Sequence, residues 1–140
     1  MPAHAALARA YERARYRLHL PDGDCESRIG AVDHAADARL RAAGCRSHWL
    51  FITACNPYSR RLPAADNAAR TAALRRHLAK QGWRFVEAVA SDAHGAWPEP
   101  GFGVFDADDT ALRRLAESFG QNAIVRATLG AAPQLVWMAP

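Results

Sequence analysis

Seven polar side chains stand where apolar runs give way to turns or helix starts: Asn56, Ser59, Asn67, Arg70, Glu99, Gln121 and Asn122. Asparagine and glutamine offer donor and acceptor on one planar group, which suits the reading of a polar ligand. A guanidinium on an inward helix face can clamp an anion with a rigid fork of donors. Glu99 lies between Pro98 and Pro100, so its carboxylate is held in a rigid frame, as a general base or the partner of a ligand amine must be. Each also has a structural alternative. Asn67 and Arg70 can simply pin the loop before them, and Gln121 or Asn122 can satisfy a helix C-terminus.

The elements that position these groups follow from periodicity. Trp49-Leu50-Phe51-Ile52, continuing through Thr53-Ala54-Cys55 and stopping at Asn56-Pro57, reads as a buried strand bounded by a turn. A polar loop follows, then a helix opening at Pro63 and running to about Gln81, closed by Gly82. On that helix Asn67, Arg70, Leu74 and Leu78 share one stripe. Leucines must face a sheet, so Asn67 and Arg70 face the same way, beside the loop of residues 56–59. A half-buried Asn and Arg there need partners: the loop backbone, Asn56, Ser59 or an anion at the helix start.

The remaining elements alternate in period. Residues 3–14 read as an Ala-rich helix with Leu7, Ala10, Tyr11 and Ala14 on one face. Residues 16–20 alternate as a half-buried strand, 21–24 as a turn, and 26–30 as a second strand completing a hairpin. Asp33 caps a helix through Ala43 that Gly44 ends. Residues 83–89 and 101–105 are strands, joined by a loop over 91–100. Asp106 or Asp108 caps a helix with Leu112, Leu115, Ala116 and Phe119 as its apolar stripe. Strands over 123–129 and 134–138 close the chain. From Trp49 onward the order β-α-β-β-α-β-β contains the split βαβ arrangement. The expected fold is α/β (α+β): a ferredoxin-like βαββαβ core with a mostly antiparallel sheet and both helices on one face, plus an N-terminal α-β-β-α extension, all in a single domain over 1–140.

Bulk properties narrow the function classes. A chain of 140 residues with 50% apolar and 23% charged residues is an ordinary globular mix able to bury a core. No apolar run is long enough to span a bilayer, and the N-terminus lacks a signal-peptide layout, so a cytoplasmic protein is expected. The formal charge is +4 and the pI about 9.4. The bases are arginines except Lys80, interleaved with acids; solvated faces account for them better than a nucleic-acid footprint. Cys25, Cys45 and Cys55 are odd in number and lack C-x-x-C spacing, which argues against a disulfide framework or zinc knuckle. Asp92, His94 and Glu99 match no metal motif. No metal or cofactor is expected. Neither a nucleophile motif around Ser59 or Cys55 nor a phosphate loop is present.

Arg28-Ile29-Gly30, Ile52-Thr53-Ala54-Cys55-Asn56-Pro57 with Ser59, Asn67 and Arg70, Trp97-Pro98-Glu99, and Phe119-Gly120-Gln121-Asn122-Ala123-Ile124-Val125 together resemble an uncharacterised bacterial family, a domain of unknown function with T-A-x-N-P and F-G-Q-N-A-[IV]-V motifs. The resemblance covers Tyr11 to Trp137 and departs at Pro63, where a capping Ser is usual, and at Cys55, where an aromatic is common. It implies no activity. The function expected is therefore a small ligand-binding or regulatory module whose partner is a small anionic or polar ligand. One alternative is an enzyme with Glu99 as acid/base and Arg70 as anion clamp. The other is an interaction protein for nucleic acid or an acidic partner.

Overall fold

The alternating and apolar runs all enter one sheet. The computed structural model describes residues 2–138, with side chains from residue 5 onward. Its elements run α1 (Pro2–Arg13), β1 (Arg15–Leu20), β2 (Gly23–Ser27), α2 (His34–Ala42), β3 (His48–Thr53), a 3-10 turn (Pro57–Ser59), α3 (Ala64–Gln81), β4 (Arg84–Ser91), β5 (Glu99–Phe105), α4 (Asp109–Ser118), β6 (Ala123–Thr128) and β7 (Gln134–Trp137). The protein is a mixed α/β fold with a seven-stranded sheet in the order β2-β1-β4-β5-β3-β6-β7. Every neighbouring pair is antiparallel. No helix among the described residues is long and apolar enough to cross a membrane.

The sheet is larger than the expected core. The hairpin β1–β2 is not an appendage; β1 pairs with β4 through Tyr16↔Ala90 and Leu18↔Ala88. The hairpin also turns earlier than expected. Leu20 faces Gly23 in register, so Pro21-Asp22 alone make the turn and β2 ends at Ser27, not at Gly30. A two-residue turn is the tightest hairpin link, and it leaves no room for the four-residue turn inferred from composition. β5 likewise starts earlier, at Glu99, which pairs with Ala90 of β4. Glu99 is thus a strand residue rather than a loop residue. Asp106 does not cap α4. It takes a left-handed conformation (φ 56) and its carboxylate accepts from the N–H groups of Arg46, Ser47 and His48; Asp108 caps the helix through Ala111 N–H at 2.9 Å.

β3 is buried along almost its whole length because both sheet faces are covered. Leu50 and Ile52 join Leu74 and Leu78 of α3 and Leu112 and Ala116 of α4 in one core. Trp49 and Phe51 point to the opposite core, with Tyr16 and Leu18 of β1 and Leu40 of α2. The two leucine stripes therefore lie on one face, as their spacing requires. The other face is concave. Leu18 reaches across β4 to Gly103, where an added Cβ would sit 2.6 Å from Leu18 Cδ2. Tyr16 and Phe51 meet edge to face with ring centroids 5.2 Å apart. Glycine at 103 and 101 is what lets Leu18 of β1 and Phe51 of the neighbouring β3 fold over β5.

Cys25, Cys45 and Cys55 are buried and free. Burial pushes the Cys45 thiol up to about 12 and raises that of Cys25 as well, so neither is a ready thiolate. Thiol titration of the native protein should therefore be slow, and denaturant without reductant should expose all three thiols. A count below three in denaturant would reveal a disulfide.

Candidate functional site

The site grows from the end of β3. Asn56 takes the left-handed conformation, φ 48, which asparagine tolerates better than other chiral residues. That turn aims its amide at three elements. Asn56 Oδ1 accepts from Leu62 N–H at 2.9 Å and from Asn67 Nδ2 at 2.9 Å. Its own N–H donates to Asn67 Oδ1 at 2.9 Å. Its Nδ2 donates to Glu99 Oε2 at 2.7 Å. Asn56 and Asn67 thus bind each other reciprocally and close the loop between β3 and α3. Tyr58 (φ 55) and Ser59 (φ 59) share the unusual backbone region. Such strain persists only where the surroundings impose it. Tyr58 N–H donates to Gly120 O at 2.7 Å, and a Cβ on Gly120 would meet Pro57 Cβ at 2.8 Å.

Arg70 lies below this loop rather than in it. Its Nε donates to Ala54 O at 2.6 Å, a second guanidinium nitrogen donates to Phe119 O, and the group stands over the Phe119 ring. It ties the end of β3 to the end of α4. The residues after α4 are thereby set beside the loop: Gln121 Nε2 donates to Cys55 O at 3.1 Å, and Asn122 Nδ2 donates to Ser59 Oγ at 2.9 Å. Cys55 Sγ is buried against Pro100 O and Thr71 Oγ1.

Asn56, Ser59, Glu99, Gln121 and Asn122 line a cavity of about 310 Å³, together with Tyr11 of α1. Asn67 faces the other side of Asn56, on a neighbouring cavity with Thr71 and Pro98; Arg70 does not line either. Three residues outside the candidate set, Tyr11, Arg61 and Trp97, also line the cavity. Tyr11 read only as part of an apolar stripe, although a phenol at the end of such a stripe needs a polar partner. Arg61 read as one of many arginines, yet it stacks on Trp97 with its guanidinium carbon 3.8 Å from the ring centroid. Trp97 itself has φ 55 and stays 65% exposed, flanking the cavity.

Burial raises the pKa of Glu99 above the usual carboxylate range, and the bond from Asn56 only partly offsets it. Burial also raises that of Tyr11; the Glu99 charge adds to this, and a hydrogen bond with the Ser59 side chain opposes it. Glu99 Oε1 has no hydrogen-bond partner among the described residues, since Oε2 makes the single bond. No group of three His, Cys, Asp or Glu side chains able to hold a metal occurs among them either. Asp92 Oδ1 accepts from the N–H groups of His94 and Ala96, both at 2.8 Å.

The Glu99 shift has a stability consequence. The folded state holds the proton more tightly than the unfolded chain, so stability falls as pH rises from the ordinary carboxylate value through the raised one. Above that window the penalty is complete. Glu99→Gln removes it and should raise the melting temperature at pH 7, with the gain shrinking to nothing at pH below the ordinary carboxylate range. A variant less stable than the parent at pH 7 would contradict the desolvated carboxylate.

A family model described as Protein of unknown function (DUF3293) matches residues 52–124. The match starts in β3 and ends in β6, so it spans every cavity-lining residue named above except Tyr11. No curated protein and no solved structure matches the chain.

Proposed function

The chain belongs to the DUF3293 family, whose function is unknown, and from that premise we propose a small ligand-binding module whose ligand enters the cavity beside Glu99. The observation that carries this is the Glu99 side chain lining the cavity, with one carboxylate oxygen bound to Asn56 and the other without a hydrogen-bond partner among the described residues. A desolvated carboxylate with a spare oxygen favours a donor or a cation over an anion. Glu99, Tyr11, Ser59, Gln121 and Asn122 then meet the ligand, while Asn56, Asn67 and Arg70 hold the frame. Two-dimensional NMR of the labelled protein titrated with small amines, alcohols, phosphates and carboxylates tests it. Shifts confined to residues 56–59, 99 and 121–122 with a donor ligand support the proposal. A phosphate or carboxylate as the sole binder would reverse the assigned charge preference.

A second reading, an enzyme with Glu99 as acid/base, draws on the raised Glu99 pKa beside the Tyr11 phenol; a group tuned upward in a cleft suits proton transfer near neutral pH. Arg70 as its anion clamp draws less support, because its donors meet Ala54 O and Phe119 O. Binding to nucleic acid draws less again. Arginines pair with acids at separate places, Arg15–Glu26, Arg39–Asp22, Arg75–Glu87 and Arg126–Asp109, so the free positive charge is less than the count. The order β4-β5-β3-β6, with α3 and α4 as crossovers, supports a ferredoxin-like core within the larger sheet, and the three free thiols support a cytoplasmic location.

A further inference from the structure

Behind the polar cavity lies a second one of about 210 Å³. The two share Ala10, Tyr11, Trp97, Glu99 and Gln121. The second lies on the concave face of the sheet, between α1 and strands β1, β3, β4 and β6. Its walls are aromatic, from Tyr16, Phe51 and Trp97, and it is kept open by alanine, at Ala10, Ala14, Ala90 and Ala123. Any larger side chain at those positions would fill it. Apolar space of this kind lowers stability when nothing occupies it. An apolar cavity of roughly 150 Å³ accepts a benzene ring, so this one has room for one ring and its linking carbon.

The charge at the junction selects what the ring carries. Glu99 is the carboxylate common to both cavities, and its Oε1 is unpaired within the described chain. The aromatic walls suit a ring on the apolar side through edge and face contacts. Resting on the ligand-binding proposal above, we infer that the ligand is an organic ammonium: a protonated amine bound at Glu99, joined to an apolar group of about one aromatic ring seated under α1. The ammonium meets the carboxylate and the outer amides. The ring lies against Tyr16 and Phe51.

Benzylamine, ethylamine and benzyl alcohol separate the parts, measured by NMR titration of the full chain. Benzylamine should bind at least tenfold more tightly than either ethylamine, which lacks the ring, or benzyl alcohol, which lacks the charge. Ala14→Leu fills the inner cavity and should lower benzylamine affinity to that of ethylamine. Leu135→Phe, on the opposite wall, should do the same and serves if the first variant does not fold. Glu99→Gln should bring benzylamine down to the level of benzyl alcohol. Equal binding of ethylamine and benzylamine, with shifts at residues 56 and 121, would overturn the ring compartment and leave the polar site standing. Absence of shifts there with every amine, alcohol, phosphate and carboxylate would overturn both.

Discussion

Asn56→Ala lowers the stability of the protein by about 3–4 kcal/mol and detaches Glu99 from its frame. The substitution removes three side-chain hydrogen bonds, to Leu62 N–H, Asn67 Nδ2 and Glu99 Oε2. Each contributes about 1 kcal/mol net, and a buried group left unpaired costs about 1–3 kcal/mol. Alanine must also hold φ 48, which costs about 1 kcal/mol for a residue with a Cβ and no side-chain bond. Asn56→Gly isolates that part: it should regain about 1 kcal/mol and none of the bonds. Glu99, without its one hydrogen bond, should titrate still higher. Urea unfolding of both variants and a carbon-detected titration of the Glu99 carboxyl measure these effects. A near-parental Asn56→Ala would mean that water replaces the amide at every position, and the site would not be preorganised.

The second large effect belongs to Arg70→Ala, with an expected loss of about 3 kcal/mol. Two charge-assisted bonds are removed, to Ala54 O and Phe119 O, and a hydrogen bond to a charged group contributes about 1.5–3 kcal/mol. The estimate sits near the low end of their sum because Arg70 is only half-buried and water can reach the carbonyls it leaves. Arg70→Lys keeps the charge and loses the fork. An ammonium reaches one carbonyl, so it should recover less than half of the loss. Binding should fall too, although Arg70 lines neither neighbouring cavity, because the residue holds Phe119 and hence Gln121 and Asn122 in place. Thermal melts combined with the amine titrations separate the two effects. A parental melt for Arg70→Ala with lost affinity for anions would return Arg70 to the role of anion clamp.

Local signals in the chain were sufficient for several decisions. Leu74 and Leu78, and Leu112 and Ala116, are spaced to face one side, and they do so because a helix offers no other way to bury them. The apolar run from Trp49 to Ile52 had to be covered on both faces, since its alternate residues are all large and apolar. Asn56-Pro57 had to end the strand, and the polar residues around it had to gather where the chain leaves the sheet. These are consequences of period, volume and backbone sterics within a few residues, which is why they could be read in one dimension.

Tertiary structure decided what each of those polar groups meets. Glu99 finds Asn56 across 43 residues, and Arg70 finds Phe119 across 49. Nothing in local spacing specifies which carbonyl a guanidinium will reach; that depends on how far α4 ends from β3 across the sheet. The same holds for Tyr11, whose helix meets the cavity only because the sheet curls. That curl depends on Gly101 and Gly103 admitting Phe51 and Leu18 from other strands. Helix stripes, turns and strand ends are set by each residue's own neighbours in the chain. Partners and cavities are set by the placement of whole elements, where close packing leaves each long polar side chain few positions that satisfy it.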